Sequence, residues 1–127
     1  MDACAEFQNL FDRYVELYLA GDVAGCVAFY APDGQIHSPF GPPVVGAEAL
    51  EKIHKEWFLE GEVNKTIQVL EARAEADIGY CLARYSADVP QDDGSYQPDG
   101  GTSVNTFERL EDGRWVIRLT SLNAKHD

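Results

Sequence analysis

The sequence predicts an α+β fold in which helices pack on one face of a curved antiparallel sheet. Apolar residues in the first half of the chain recur at spacings of three and four, as on one side of a helix. From Thr66 onward the spacing changes to two, which is the period of a strand. The length of 127 residues suits one domain, spanning 1–127, with a single core.

Three N-terminal helices are predicted. The first runs from about Ala3 to Ala20, and Gly21 ends it. Asp22 is a good N-cap for a short second helix. A short strand, Gln35–Ser38, leads into the loop SPFGPPVVG, whose prolines keep it out of a sheet. The third helix runs from Ala47 to about Leu59.

Four strands are predicted in the second half, near 65–76, 79–89, 101–111 and 114–123. Asp-Gly at 112–113 marks a hairpin turn between the last two. The polar segment between Pro90 and Gly101 is interpreted as a hairpin tip, with a pocket lid as the alternative.

Neither face of the last two predicted strands is plainly polar, so both faces are expected to be covered. Helices cover one face. The other, on which we place Trp115 and Ile117, predicts a subunit interface and therefore a homodimer.

Charge and cysteine content limit the partners and the compartment. Ten basic and 22 acidic residues give a net charge of -12, which repels nucleic acid and anionic membranes. The start, MDACAEFQ, lacks the pattern of a signal peptide, and no apolar run reaches membrane-spanning length. Three cysteines without C-x-x-C spacing predict reduced thiols and a cytoplasmic protein.

Cofactor motifs are not found in the sequence. It has no glycine-rich nucleotide loop, no G-x-S-x-G and no H-E-x-x-H. His37, His54 and His126 lack the spacing of metal ligands, so neither a metal nor a cofactor is expected.

The segment RYVELYLAGDVAGCVAFYAPDGQIHSPFGPPVVG resembles the first third of a bacterial ketosteroid isomerase. The resemblance extends through GAEALEKIH and, more loosely, to RLEDGRWVIRLTSL. It implies a SnoaL-like, nuclear transport factor 2-like protein with a cone-shaped α+β fold and an internal pocket. It also implies three catalytic groups: a carboxylate base, a tyrosine that donates to the developing enolate oxygen, and a second, protonated acid.

The resemblance places Tyr14 on the oxyanion-hole tyrosine and Tyr30 on the tyrosine that supports it. His54 takes the place of a third hydroxyl, where relatives have tyrosine. A Tyr14–Tyr30–His54 network would polarise Tyr14, because linked hydrogen bonds strengthen one another. The alternatives are an ordinary core tyrosine at 14 and a structural hydrogen-bonding histidine at 54.

The resemblance puts Ser38 in place of the base and Thr106 in place of the protonated acid. A serine hydroxyl cannot take a carbon-bound proton near neutral pH without a neighbouring base, so ketosteroid isomerisation by the family mechanism is not expected. His37 is the candidate replacement base. The alternative is a surface histidine, since strand alternation sends His37 away from Ser38.

By the same resemblance Arg118 points into the cone, with Arg84 as a candidate for the same face. Either Glu108 pairs with Arg118, or Arg118 binds an oxygen of the ligand. Two inward arginines would favour a more polar ligand than a steroid.

Three hypotheses follow. The first is cofactor-free proton transfer (isomerisation, cyclisation or dehydration) on a small, mostly apolar compound with an oxygen near Tyr14. The second is a non-catalytic ligand-binding or dimeric assembly domain. The third is a structural dimer whose cone is filled by its own side chains.

Overall fold

A computed structural model describes residues 1–124 and confirms the α+β architecture. The helices are α1 (Ala3–Leu19), α2 (Val23–Val27) and α3 (Ala47–Leu59). The strands are β1 (Tyr30–His37), β2 (Val44–Val45), β3 (Val63–Glu75), β4 (Ile78–Pro90), β5 (Tyr96–Arg109) and β6 (Trp115–Ala124). They form one sheet in the order β2-β1-β6-β5-β4-β3. Among residues 1–124, none of the helices is long and apolar enough to cross a membrane.

Three features of the sheet differ from the prediction. Val44 and Val45 follow the last proline of the loop that was expected to stay out of a sheet, yet they pair with β1 as the edge strand β2. β1 begins at Tyr30 and pairs in parallel with β6, whereas the other neighbours are antiparallel. Its register shifts between Tyr30 and Gln35, because Pro32 and the turn residues after it interrupt the regular ladder. The segment after Pro90 is a hairpin tip, since the β4–β5 ladder continues to the pair Pro90↔Tyr96.

The core forms where α1 lies across the sheet. Phe7 stacks on Phe107 with ring centroids 3.9 Å apart and meets Trp115 edge-on at 5.3 Å. The side chain of Gln8 fixes this helix to β3, because its amide donates to the Ile67 carbonyl at 2.8 Å and its oxygen accepts from the Val69 N–H at 2.7 Å. The sheet face below α1 is thereby held as the inner face of the cone.

A β-bulge in β6 changes which residues face inward. Phe107 pairs with Ile117 and Thr106 pairs with Leu119, so Arg118 is the extra residue between two regular pairs. Ile117 belongs to the core, and Thr120, three residues on, again faces inward.

The predicted subunit interface must therefore be corrected, because Trp115 and Ile117 are core residues with 5% and 0% exposure. The outer face of the sheet instead carries two cross-strand pairs, Leu82 with Val104 and Thr106 with Leu119.

Candidate functional site

A cavity of about 300 Å³ opens between the helices and the inner face of the sheet. Seven aromatic side chains line it: Phe11, Tyr14, Tyr18, Tyr30, Phe40, Trp57 and Tyr85. Its volume is at the small end of the range for ligand pockets. A mostly apolar wall with a few polar groups suits a small organic molecule.

Tyr14 on α1 lines the cavity and pairs with His54 on α3, which is fully buried and does not itself line the cavity. The Tyr14 hydroxyl lies 2.6 Å from Nε2 of His54, whose Nδ1 lies 2.7 Å from the Leu50 carbonyl oxygen. A carbonyl only accepts hydrogen bonds, so Nδ1 carries the proton and Nε2 of the neutral ring accepts from Tyr14. Burial lowers the pKa of His54 and raises the pKa of Tyr14, so both groups are held neutral.

Tyr30 at the start of β1 completes the predicted group of three aromatic side chains. Its ring centroid lies 6.4 Å from that of Tyr14 and 6.1 Å from that of His54, edge-on in both cases. Burial raises the pKa of Tyr30 to about 12. The three side chains are thus brought together, with a direct Tyr14–His54 hydrogen bond.

Ser38 and His37 lie on opposite sides of β1. Ser38 lines the cavity, and its hydroxyl oxygen accepts from the Phe40 N–H at 3.1 Å. His37 is not among the lining residues, and its Nε2 lies 2.8 Å from Oε1 of Gln35. Strand alternation explains this, because Ile36 and Ser38 both face the cavity and the residue between them faces the other way. The expectation that His37 reaches the cavity as a base is therefore corrected.

Thr106 also lies off the cavity, and Asn105 takes the inward position. Thr120 donates to Oδ1 of Asn105 at 2.8 Å, and the Asn105 amide donates to the Ser103 hydroxyl at 3.0 Å. All three of these side chains line the cavity. Ser103, Asn105 and Phe107 alternate along this strand in the sequence, and the large apolar side chain of Phe107 is the signal that marks their face as the inward one.

The arginines lie outside the cavity, contrary to the prediction for Arg118. Arg118 donates from Nε to Glu108 at 3.1 Å, and its Nη1 pairs with the Asp33 carboxylate and donates to the Asp33 carbonyl at 3.0 Å. The bulge turns Arg118 outward, and there Glu108 satisfies it. Arg84 is exposed on the outer face. In the described part of the chain, no arginine lines the cavity.

Four charged residues that the sequence did not single out also line the cavity: Glu60, Glu62, Lys65 and Asp99. Nζ of Lys65 lies 3.9 Å from Glu62 and 4.3 Å from the Tyr18 ring centroid. Burial lowers the pKa of Lys65, whereas the charge of Glu62 raises it. The Tyr18 hydroxyl donates to the Glu62 carboxylate. In the sequence this segment resembled a simple helix–strand connection.

The described residues contain no group of three or more His, Cys, Asp and Glu side chains placed to hold a metal ion. His126 lies outside the described residues.

Comparison with known proteins agrees with the cone fold. The family model described as a SnoaL-like domain matches residues 11–117. A ketosteroid isomerase-like protein from Erwinia carotovora atroseptica is 16% identical with a TM-score of 0.83, over 98% of this chain and 97% of that one. A nuclear transport factor 2-like superfamily protein from Salmonella enterica is 12% identical with a TM-score of 0.80, over 97% and 91%.

A protein from Catenulispora acidiphila, described in complex with S-DNPA, is 20% identical with a TM-score of 0.76, over 94% of this chain and 91% of that one. At these identities the structural likeness establishes the fold alone.

Proposed function

We propose, from the premise that this chain belongs to the SnoaL-like domain family, that it binds a small, mostly apolar organic compound in the cone. The observation that carries the proposal is the aromatic cavity of about 300 Å³ with Tyr14 on its wall. A further support is the similar Catenulispora acidiphila protein, which is described in complex with S-DNPA. An oxygen of the ligand would lie near Tyr14.

The open cavity argues against a purely structural dimer. That hypothesis expects Arg118 to be paired internally, as it is with Glu108, but it also expects the cone to be filled by its own side chains. A void beside Tyr14 fits a ligand-binding protein better.

Cofactor-free proton transfer is the catalytic form of the proposal. Ser38 supplies no base, and of the groups on the cavity wall only Tyr14 is hydrogen-bonded to an imidazole in the described part of the chain. The Tyr14–His54 pair is therefore the acid–base couple that we assign to any isomerisation, cyclisation or dehydration. The second candidate function is binding without catalysis, and the serine at position 38 favours it.

The test is a fluorescence titration with 2-naphthol. Ala87 lines the cavity, and Ala87→Phe should fill part of it and weaken binding at least tenfold. Arg84→Phe puts the same ring on the exposed outer face of the same strand and should leave the affinity unchanged. Equal affinities for the two variants, or no binding to the wild type, would refute a ligand site in the cone.

We also propose that the partner is a second copy of this chain, which packs on the outer face of the sheet. Val104 and Tyr80 are 40% and 37% exposed there, and Leu82 pairs with Val104. A cytoplasmic location is the further proposal, supported by the three free cysteines.

A further inference from the structure

Two hydroxyl groups on the inner wall of the cavity have already given their protons to other side chains. Tyr14 gives its hydroxyl proton to Nε2 of His54 at 2.6 Å, because the other ring nitrogen donates to the Leu50 carbonyl. Thr120 gives its proton to Oδ1 of Asn105 at 2.8 Å. Both hydroxyl oxygens therefore turn only lone pairs toward the cavity.

One neighbouring donor cannot satisfy both of these acceptors. The Tyr30 hydroxyl also lines the cavity, but it carries a single proton and can donate to one acceptor at most. The hydroxyls of Ser38 and Ser103 can each donate to a ligand or accept from it, because each only accepts a hydrogen bond from the protein. Tyr14 and Thr120 differ from them, since both protons are already donated and both oxygens can only accept from a ligand.

We propose that the ligand is a hydroxyl compound, an alcohol or a phenol, whose O–H donates to the acceptor oxygens that Tyr14 and Thr120 present. This inference rests on the proposed function, and it reverses the role that the resemblance gives to Tyr14, which there donates to an oxyanion. A ketone or an ether brings only acceptors, so it cannot bond to Tyr14 while His54 holds the Tyr14 proton.

The test compares three naphthalenes that share one ring system: 2-naphthol, 2-methoxynaphthalene and 2-acetylnaphthalene. Only the first has a proton to donate. We expect Tyr14→Phe to reduce the affinity for naphthol about 2- to 10-fold relative to the methoxy compound, which is the worth of one hydrogen bond. Because ring size and hydrophobicity cancel in that ratio, the change reports the hydroxyl contact.

His54→Leu supplies the second arm. This substitution removes the acceptor of the Tyr14 proton, so Tyr14 can donate to a ligand. The affinity for 2-acetylnaphthalene should then rise relative to the affinity for 2-naphthol. Tyr14→Phe alone still decides the matter if His54→Leu does not fold. The absorption spectrum of bound naphthol should be that of the neutral phenol at pH 7.

The outcomes separate the two proposals. If none of the three naphthalenes binds, the proposed function fails, and this inference fails with it. If all three bind and Tyr14→Phe leaves their ratios unchanged, or if naphthol binds as the naphtholate, the cavity stands as a ligand site and only the donor preference is overturned.

Discussion

Protonation of His54 should destabilise the fold as the pH falls below neutrality. The ring is fully buried, with its Nδ1 on the Leu50 carbonyl and its Nε2 on the Tyr14 hydroxyl. Burial is the main cause of its lowered pKa, and the positive charge of Lys65 acts in the same direction. An imidazolium at this position would turn Nε2 from an acceptor into a donor, and Tyr14 would have to reverse its hydroxyl.

The sign follows from the two states of the chain. In the unfolded chain His54 titrates at its ordinary pKa of 6.5, whereas in the folded chain its pKa is lower. Between these two values the unfolded state binds more protons, so the free energy of unfolding decreases as the pH falls. The contribution of neutral His54 is complete above pH 6.5, declines by at most about 1.4 kcal/mol per pH unit, and levels off below the folded pKa.

Urea unfolding between pH 7.5 and 4.5 measures this effect. The wild type should lose stability below pH 6.5 more steeply than His54→Gln, which has no group to titrate there. The many carboxylates contribute to both curves and cancel in the difference. His37→Gln is the matched control, because it removes a histidine that lies off the cavity, and its curve should follow the wild type. Parallel curves for the wild type and His54→Gln would refute the assignment of a neutral, buried ring.

Three other predictions follow. Gly79→Ala should cost about 1–3 kcal/mol in urea unfolding, since its Cβ would lie 2.6 Å from the Phe7 ring, whereas Gly41→Ala, with nothing within 4 Å, should cost little; equal costs would contradict this packing. A thiol reagent should label Cys4 rapidly in the native protein, because burial raises the pKa of the other two thiols to about 12, and three fast thiols would contradict it. Val104→Asp should convert a dimer to a monomer in sedimentation equilibrium; a wild type that sediments as a monomer would remove the proposed interface.

Local sequence signals were sufficient for the three helices and for the four strands of the second half. The apolar stripe of α1 and the side-chain cap at Asp22 are short-range features, and the structure has both. The change of apolar period near Thr66 likewise falls within β3. Such features depend on neighbours a few residues apart, which a sequence displays directly.

The inward faces of the last two strands depended on a feature that the sequence does not display. Strict alternation assigns Ile117 and Thr120 to opposite faces, yet the extra residue at Arg118 brings both of them inward. The bulge arises from the pairing of β5 with β6, so it is a property of two strands together. The expectations for Trp115 and Arg118 failed for this one reason.

The charged residues of the cavity wall could not be predicted from the sequence for a different reason. Glu62 and Lys65 are close to each other in sequence, but Asp99 and Tyr18 reach the same region from distant elements. Nothing in the spacing of such residues indicates that they meet. Only the sheet order, which sets the end of α3 beside the β4–β5 hairpin, brings them together.

The two departures from the isomerase pattern on the inner wall have a common consequence for chemistry. A serine at 38 removes the acceptor of a proton, and a histidine at 54 engages the proton of Tyr14. In the proposed site, the tyrosine and the imidazole together become the proton acceptor that the serine no longer provides. A ligand O–H that donates to Tyr14 could pass its proton to the phenol oxygen while the phenol proton moves to Nε2 of His54, which leaves an oxyanion on the ligand and an imidazolium on α3. A substrate without such a proton cannot react in this way. Turnover of a hydroxyl compound without turnover of its methyl ether would therefore distinguish a catalyst from a binding protein.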